Sequence, residues 1–415
     1  MTDRVMREFL AAREGDAEAF LAELVRMPSD NPPGDCAPHA LHAARLLEAL
    51  GFTVERLPVP EPLVRANGMA SCINLVVRER FGAGRGPVIA LNAHGDVVPP
   101  GQGWSTDPYG AHVRDGTMIG RGVAVSKSDF ATYAFALLAL RAAAAAGAPL
   151  DGTVELHFTY DEEVGGAIGP AWLLREGHSR PDYAISAGFS YAVTTAHNGC
   201  LHLEIEVLGK SGHAAEPAKG VDALEAANGI LTDLYRLRTT FGGIDSGVPG
   251  IGPPTLVVGL ISGGINTNVV PDNVRFRLDR RIVPSESPAR VEEDLTQAIR
   301  AAAAHWPGVR VEIRRVLLAT PFVPIAGQER LVDALARRGE QVFGVPIPAR
   351  GVPIYTDARH YTALGIPAVL YGAGPRTLEE ANGHRADERL VLADLHRATQ
   401  VVALALCDLI SVPVV

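Results

Sequence analysis

His94 and Asp96 stand two residues apart at the end of an apolar run, Val88-Ile89-Ala90-Leu91. On an extended chain that spacing points both side chains to one face. A carboxylate beside an imidazole can orient it as a metal ligand. A second candidate, Asp161-Glu162-Glu163, follows the strand-like Val154–Tyr160 and precedes Gly165-Gly166, where a backbone can come close. Adjacent glutamates point apart in a regular strand, but in a turn they can divide the work, one on a metal and one on water. Taken singly, His94 fits a satisfied core histidine, and the acidic run fits a solvated turn.

The elements that must carry these residues read as alternating α/β. Residues 3–27 have helical spacing, Ser29–Asp35 is a turn-rich break with two prolines, and Ala37–Leu50 is helical again before Gly51. Phe52–Leu57, Ile73–Val77 and Val88–Leu91 are strand-like, and Ser128–Ala146 predicts a buried helix. In such sheets functional residues gather at the carboxyl ends of strands. From about 198 to 315 the order changes to β-α-β-β-α-β, the split βαβ pattern of a small separate domain. The expected organisation is therefore a discontinuous catalytic α/β domain over 1–197 and 316–415, with 198–315 inserted.

Composition narrows the class. With 415 residues, 47% hydrophobic and 20% charged, the chain is globular and long enough for two domains. A net charge of -9 without a long basic run argues against duplex nucleic acid as a partner. Cys36, Cys72, Cys200 and Cys407 form no CxxC pair, so neither a thiolate metal site nor a disulfide framework is expected. With no signal pattern and no apolar run of ~20 residues, a soluble cytoplasmic protein with no membrane partner is expected.

Further motifs follow in order: Gly101–Pro108, Gly120-Arg121-Gly122, Gly212-His213-Ala214-Ala215 with Pro217, Asn268-Val269-Val270-Pro271, Asp357-Ala358-Arg359 and His384. With His94-Gly95-Asp96 and Asp161–Gly166 they resemble the metallopeptidase superfamily of aminoacylase, carboxypeptidase G, acetylornithine deacetylase and succinyl-diaminopimelate desuccinylase. The likeness runs from the Ser29–Gly34 turn to Glu388. It implies a metallopeptidase-like catalytic domain with an inserted ferredoxin-like (βαββαβ) lid and dimerisation domain. By the same resemblance His94, Glu163 and His384 match metal ligands, Asp96 steadies His94, and Glu162 matches the general base. His213 and Asn268 match residues that reach a neighbouring subunit's active site and hold the substrate carbonyl. Arg281 matches the arginine that grips a substrate carboxylate, for which a planar fork suits bidentate pairing. A homodimer and a small-molecule substrate are thereby implied. The glycine-rich Leu370–Pro375 lacks the Lys-Ser/Thr ending of a phosphate loop, and its backbone, Gly372 included, is expected to line the substrate pocket.

Two positions depart from the pattern. After Gly120-Arg121-Gly122 the family carries an aspartate that bridges two metals; with Lys127 fixing the register, this chain has Val125 there. After Pro181–Ile185 the position of a second metal-binding glutamate holds Gly188. A catalytic zinc usually has three protein ligands, and neither family half-site keeps three. Three readings follow. His94, Glu163 and His384 close on one divalent metal, zinc first with manganese or cobalt possible. Alternatively Asp129, one helical turn beyond Val125, replaces the missing carboxylate. In the third reading metal binding is lost, leaving a small-molecule-binding protein on the same fold. Separately from these readings, Phe189 and Tyr191, beside Gly188, suit either an aromatic wall in the metal space or ordinary core packing. The first reading implies hydrolysis of an amide or related C–N bond in a carboxylate-bearing small molecule.

Overall fold

A computed structural model of the chain describes residues 1–412, which divide into two compact units. The first comprises Met1–Thr195, Pro324–Arg350 and Thr356–Val415, and the second comprises Ala196–Val323 and Gly351–Tyr355. The second unit extends past residue 315 because its last strand, Arg310–Ala319, continues beyond the expected end.

An eight-stranded mixed sheet organises the first unit, in the order Val54–Pro58, Ile73–Phe81, Gly152–Thr159, Val88–His94, Tyr183–Ser186, Ala368–Leu370, Val193–His197 and Ala349–Val352. The strands Gly152–Thr159, Val88–His94, Tyr183–Ser186 and Ala368–Leu370 run parallel to their neighbours within that group. Buried on both faces, they read as apolar runs rather than alternations. Their carboxyl ends lie on one side of the sheet and lead into Asp161, His94, Gly188 and Gly372 respectively.

The helix Lys127–Ala145 is buried on nearly every side, including Phe130, Tyr133, Phe135, Leu137 and Leu140. It packs on the sheet and against the helices Thr2–Ala11, Glu14–Arg26 and Leu392–Ile410. A helix enclosed in this way has apolar residues all round rather than on one stripe. Its first turn carries Lys127, whose Nζ donates to the carbonyls of Leu24 and Met27, each at 3.1 Å. The Lys127 amino group thus caps the end of Glu14–Arg26, where backbone carbonyls lack partners.

The second unit is an antiparallel four-stranded sheet in the order Leu256–Gly263, Asn273–Ile282, Gly199–Leu208 and Arg310–Ala319. With the helices Ala223–Thr239 and Pro288–Ala303 the chain order is β-α-β-β-α-β, the ferredoxin-like arrangement expected. Leu203, Ile205, Phe276 and Leu278 alternate into its core. On the opposite face Glu204 accepts from Arg277 at 2.7 Å and from Arg314 at 2.9 Å. All four cysteines are free and buried, and no helix among the described residues is long and apolar enough to cross a membrane.

Candidate metal centre

His94 is the last residue of its strand, and the chain then passes through Gly95 to Asp96. A Cβ at Gly95 would overlap the Tyr160 ring and press on Phe130, so only glycine lets the strand end lie this close to the core. His94 Nδ1 donates to the Asp96 backbone carbonyl at 2.9 Å, and Asp96 Oδ1 lies 3.5 Å from the same nitrogen. A carbonyl can only accept, so Nδ1 carries the hydrogen and Nε2 is the atom presented to a cation.

Asp96 is fully buried and does more than steady His94. Its Oδ1 takes the backbone N–H of Glu162 and its Oδ2 that of Glu163, each at 3.2 Å. Asn31 Nδ2 donates to Oδ2 at 3.0 Å. One carboxylate thereby fixes both the imidazole and the acidic turn. That turn is a single 3-10 turn, Glu162–Val164, which lets both adjacent glutamates face the site, where a strand would send them to opposite faces.

Ligand atoms of His94, Glu162 and Glu163 lie within 4.8 Å of one another. His94 Nε2 is 3.9 Å from Glu162 Oε2, and His384 Nε2 is 3.4 Å from Glu163 Oε1. His384 thus joins the group through Glu163, from a loop position with φ 62°. Glu163 Oε1 is buried without a well-formed hydrogen bond. Burial raises the Glu162 carboxyl to about 7, with Glu163 and Asp96 adding to the rise against the pull of His94. Burial would lower His94, but the charges of Glu162 and Asp96 outweigh it and hold the imidazole well above its usual range. The nearby Glu163 carboxylate likewise raises His384, against its burial. A cluster that draws protons onto its histidines in this way has the donor set and the charge deficit that suit a divalent cation.

The two departures have structural consequences. Val125 is half-buried, and its N–H donates to Glu388 Oε1 at 3.0 Å. A Cβ at Gly188 would lie 2.7 Å from both Leu370 Cβ and the Tyr371 nitrogen, so the backbone there has closed over the room a glutamate would need. Asp129 does not enter the ligand group. Its Oδ1 accepts the Ala373 N–H at 2.7 Å, the Gly188 N–H also donates to it, and Gly372 lies against it with no space for a Cβ. Gly372 is accordingly buried beside Asp129. Tyr191 forms no wall beside Gly188. Its hydroxyl donates to Asp394 at 2.7 Å, its ring packs on Phe343, and Arg376 lies over it. Phe189 is buried and bridges Gly374.

In the second unit, the two-residue pairing of Gly212-His213 with Val269-Val270 brings His213 beside Asn268, whose carbonyl accepts the Ala214 N–H at 3.0 Å. The Ala215 N–H donates to His213 Nδ1 at 3.1 Å, so in the neutral ring Nε2 carries the hydrogen. Arg281 Nε donates to Asp279 Oδ1 at 3.0 Å, while Asp279 Oδ2 meets His202 Nε2 at 3.1 Å.

Asn31, Glu388 and His360 were given no role by the sequence, and Arg359 stood there only as part of the Asp357-Ala358-Arg359 motif. Asn31 reaches Asp96 from the turn-rich break, where Asn-Pro-Pro signals only a turn. Glu388 holds the Gly122–Val125 turn and pairs with Arg121 Nη1 at 2.7 Å, both side chains buried. The arginine of Gly-Arg-Gly was the available signal for it, since a buried guanidinium demands a partner. Arg359 and His360 meet at the carbonyl of Gly165.

Residues 90–408 match the model of peptidase family M20/M25/M40. The chain is 31% identical over 390 residues to an acetylornithine deacetylase from Myxococcus xanthus, covering 93% of this chain and 96% of that one. It is 28% identical over 404 residues to a succinyl-diaminopimelate desuccinylase from Granulibacter bethesdensis, with 93% and 96% covered. The solved di-peptidase Dug1p from Saccharomyces cerevisiae shares the fold, with a TM-score of 0.78 at 14% identity over 100% of both chains. The chain belongs to peptidase family M20/M25/M40.

Proposed function

We propose that this protein hydrolyses an amide or related C–N bond in a small, carboxylate-bearing molecule, using one divalent metal ion held by His94, Glu163 and His384. Amide hydrolysis is the common chemistry of the deacetylase and desuccinylase relatives. The observation that carries the reading is the convergence of His94, Glu162 and Glu163 within 4.8 Å at the ends of adjacent parallel strands. Two histidines and one glutamate form a known catalytic zinc set; manganese and cobalt suit the same donors less specifically. When bound, such a cation supplies Lewis acidity and lowers the pKa of a water towards ~7.

The chain's own groups do the rest. Glu162, with its carboxyl raised by burial to about 7, takes a proton from the attacking water and returns it to the departing nitrogen. Asp96 keeps the His94 ring and both glutamates in register. His213 donates Nε2–H to the developing oxyanion, with Asn268 beside it, and Arg281 pairs with the substrate carboxylate. The ferredoxin-like unit acts as lid and dimerisation surface, so that His213 comes from the partner subunit of a homodimer in the cytoplasm.

The loss of ligands at Val125 and Gly188 favours one rival, a protein that binds a small carboxylate without metal or turnover. Purified protein loaded with zinc, manganese or cobalt and assayed on N-acetylated and N-succinylated amino acids decides between them. Turnover abolished by Glu162→Gln supports the hydrolase. Substrate binding without turnover under every metal, or turnover unchanged by Glu162→Gln, overturns it.

A further inference from the structure

We infer that Arg359 and His360 are positioning residues for the metal centre: by holding the Gly165 carbonyl from two sides, they fix the far end of the turn whose near end Asp96 holds. The inference rests on the reading of Glu163 as a metal ligand.

The Asp161–Gly166 turn is closed by its own backbone through Val164 N–H to Asp161 O at 3.2 Å, Gly165 N–H to Glu162 O at 3.0 Å and Gly166 N–H to Asp161 O at 2.8 Å. The first two are 3-10 bonds, whose geometry is poor, and with one wider bond from Gly166 they leave a single short turn weakly determined. Gly165 and Gly166 have φ 113° and 67°, where a side chain is strained and glycine is free to move. Left to itself the turn would let Glu162 and Glu163 wander.

Two groups of anchors prevent that. Asp96 takes the N–H groups of Glu162 and Glu163. At the other end the Gly165 carbonyl accepts from Arg359 Nη2 and, at 3.1 Å, from His360 Nε2. Arg359 is buried, and its Nη1 also donates to Thr356 O at 2.8 Å, which aims the guanidinium. Asp357, at the start of the helix Ala358–Thr362, packs its Oδ1 against Gly166 so closely that no Cβ fits. The helix and the residue before it therefore meet the turn at three points: Asp357 by contact, and Arg359 and His360 by donation. Loss of groups that orient a ligand from behind typically costs about 10–100-fold in metal affinity.

The test titrates the metal-free full-length protein with cobalt, read by visible absorption, alongside urea unfolding. His360→Leu keeps bulk and removes the donor, and is expected to weaken cobalt binding about tenfold and to lower kcat more than it raises KM. His360→Gln, whose amide nitrogen can reach the same carbonyl, is expected to recover most of that affinity. Arg359→Lys keeps the charge but cannot serve Thr356 and Gly165 together, and is expected to weaken binding several-fold even if His360→Leu proves too unstable to study. If Glu163→Gln binds cobalt as the wild type does, the ligand reading itself fails. If Glu163→Gln loses binding while His360→Leu and Arg359→Lys retain wild-type affinity, that reading stands and the positioning role is overturned.

Discussion

The backbone N–H of Val125 donates to Glu388 Oε1 at 3.0 Å, across 263 positions of sequence. The residue standing where a bridging aspartate would be is thus still held in a tightly specified turn. Glu388 also takes the N–H groups of Gly122 and Ala124 and pairs with Arg121, whose guanidinium lies over Trp104 and donates to the carbonyls of Pro100 and Arg385. The latch joins the Gly120–Lys127 segment to the loop that carries His384.

Glu388→Gln keeps the shape of that latch and leaves Arg121 buried without its counter-ion. Removing one partner of a buried pair costs roughly 3–5 kcal/mol. Urea unfolding is expected to show a loss of that order, and cobalt affinity is expected to fall because the His384 loop loosens.

At Gly95 the expectation is different, since the residue makes no polar side-chain contact. Gly95→Ala places a methyl against Tyr160 and Phe130, two rings buried within the core. Overpacking of this kind costs roughly 1–3 kcal/mol. The strain falls between His94 and Asp96, so metal affinity should drop more steeply than stability, as cobalt titration and thermal unfolding of the same variant would show.

Burial raises the Asp129 carboxyl to about 7, against the hydrogen bonds from Ala373 and Gly188 and the charge of His94, which lower it. A carboxyl whose folded value exceeds its unfolded value holds its proton more tightly in the folded state. Its contribution to stability is therefore full below the unfolded value of about 3.9 and declines as pH rises through about 7. Asp129→Asn removes that decline. Between pH 5 and pH 7 the variant should gain on the wild type by roughly 2 kcal/mol in urea unfolding, with metal content unchanged, because Asp129 faces backbone donors rather than the ligand group. Loss of metal from this variant would return Asp129 to the coordination sphere.

How much of this was legible in the sequence follows the length of the contacts. His94 and Asp96 share a strand end, and Asp161–Glu163 share a turn, so neighbouring residues reveal them. The helix Lys127–Ala145 is legible because enclosure on all sides leaves an unbroken apolar signature. Asn31 is invisible because its partner, Asp96, lies 65 residues away and a lone asparagine before prolines reads as turn chemistry. Glu388 is hidden for the same reason. Asp129 was legible as a carboxylate but not in its direction: one turn along the helix brought it towards the Gly188 and Ala373 backbone rather than towards His94. The ferredoxin-like order was plain, whereas its end was not, because the periodicity of Arg310–Ala319 runs on past the point where the sequence suggested a boundary.

The central claim is a single metal ion in a remodelled centre. Metal content per chain, measured by elemental analysis after zinc loading and exhaustive dialysis, tests it most directly. The account predicts one zinc per chain in the wild type and none in a His94→Ala, Glu163→Gln double variant. Two per chain, or none in the wild type under zinc, manganese and cobalt alike, would contradict it.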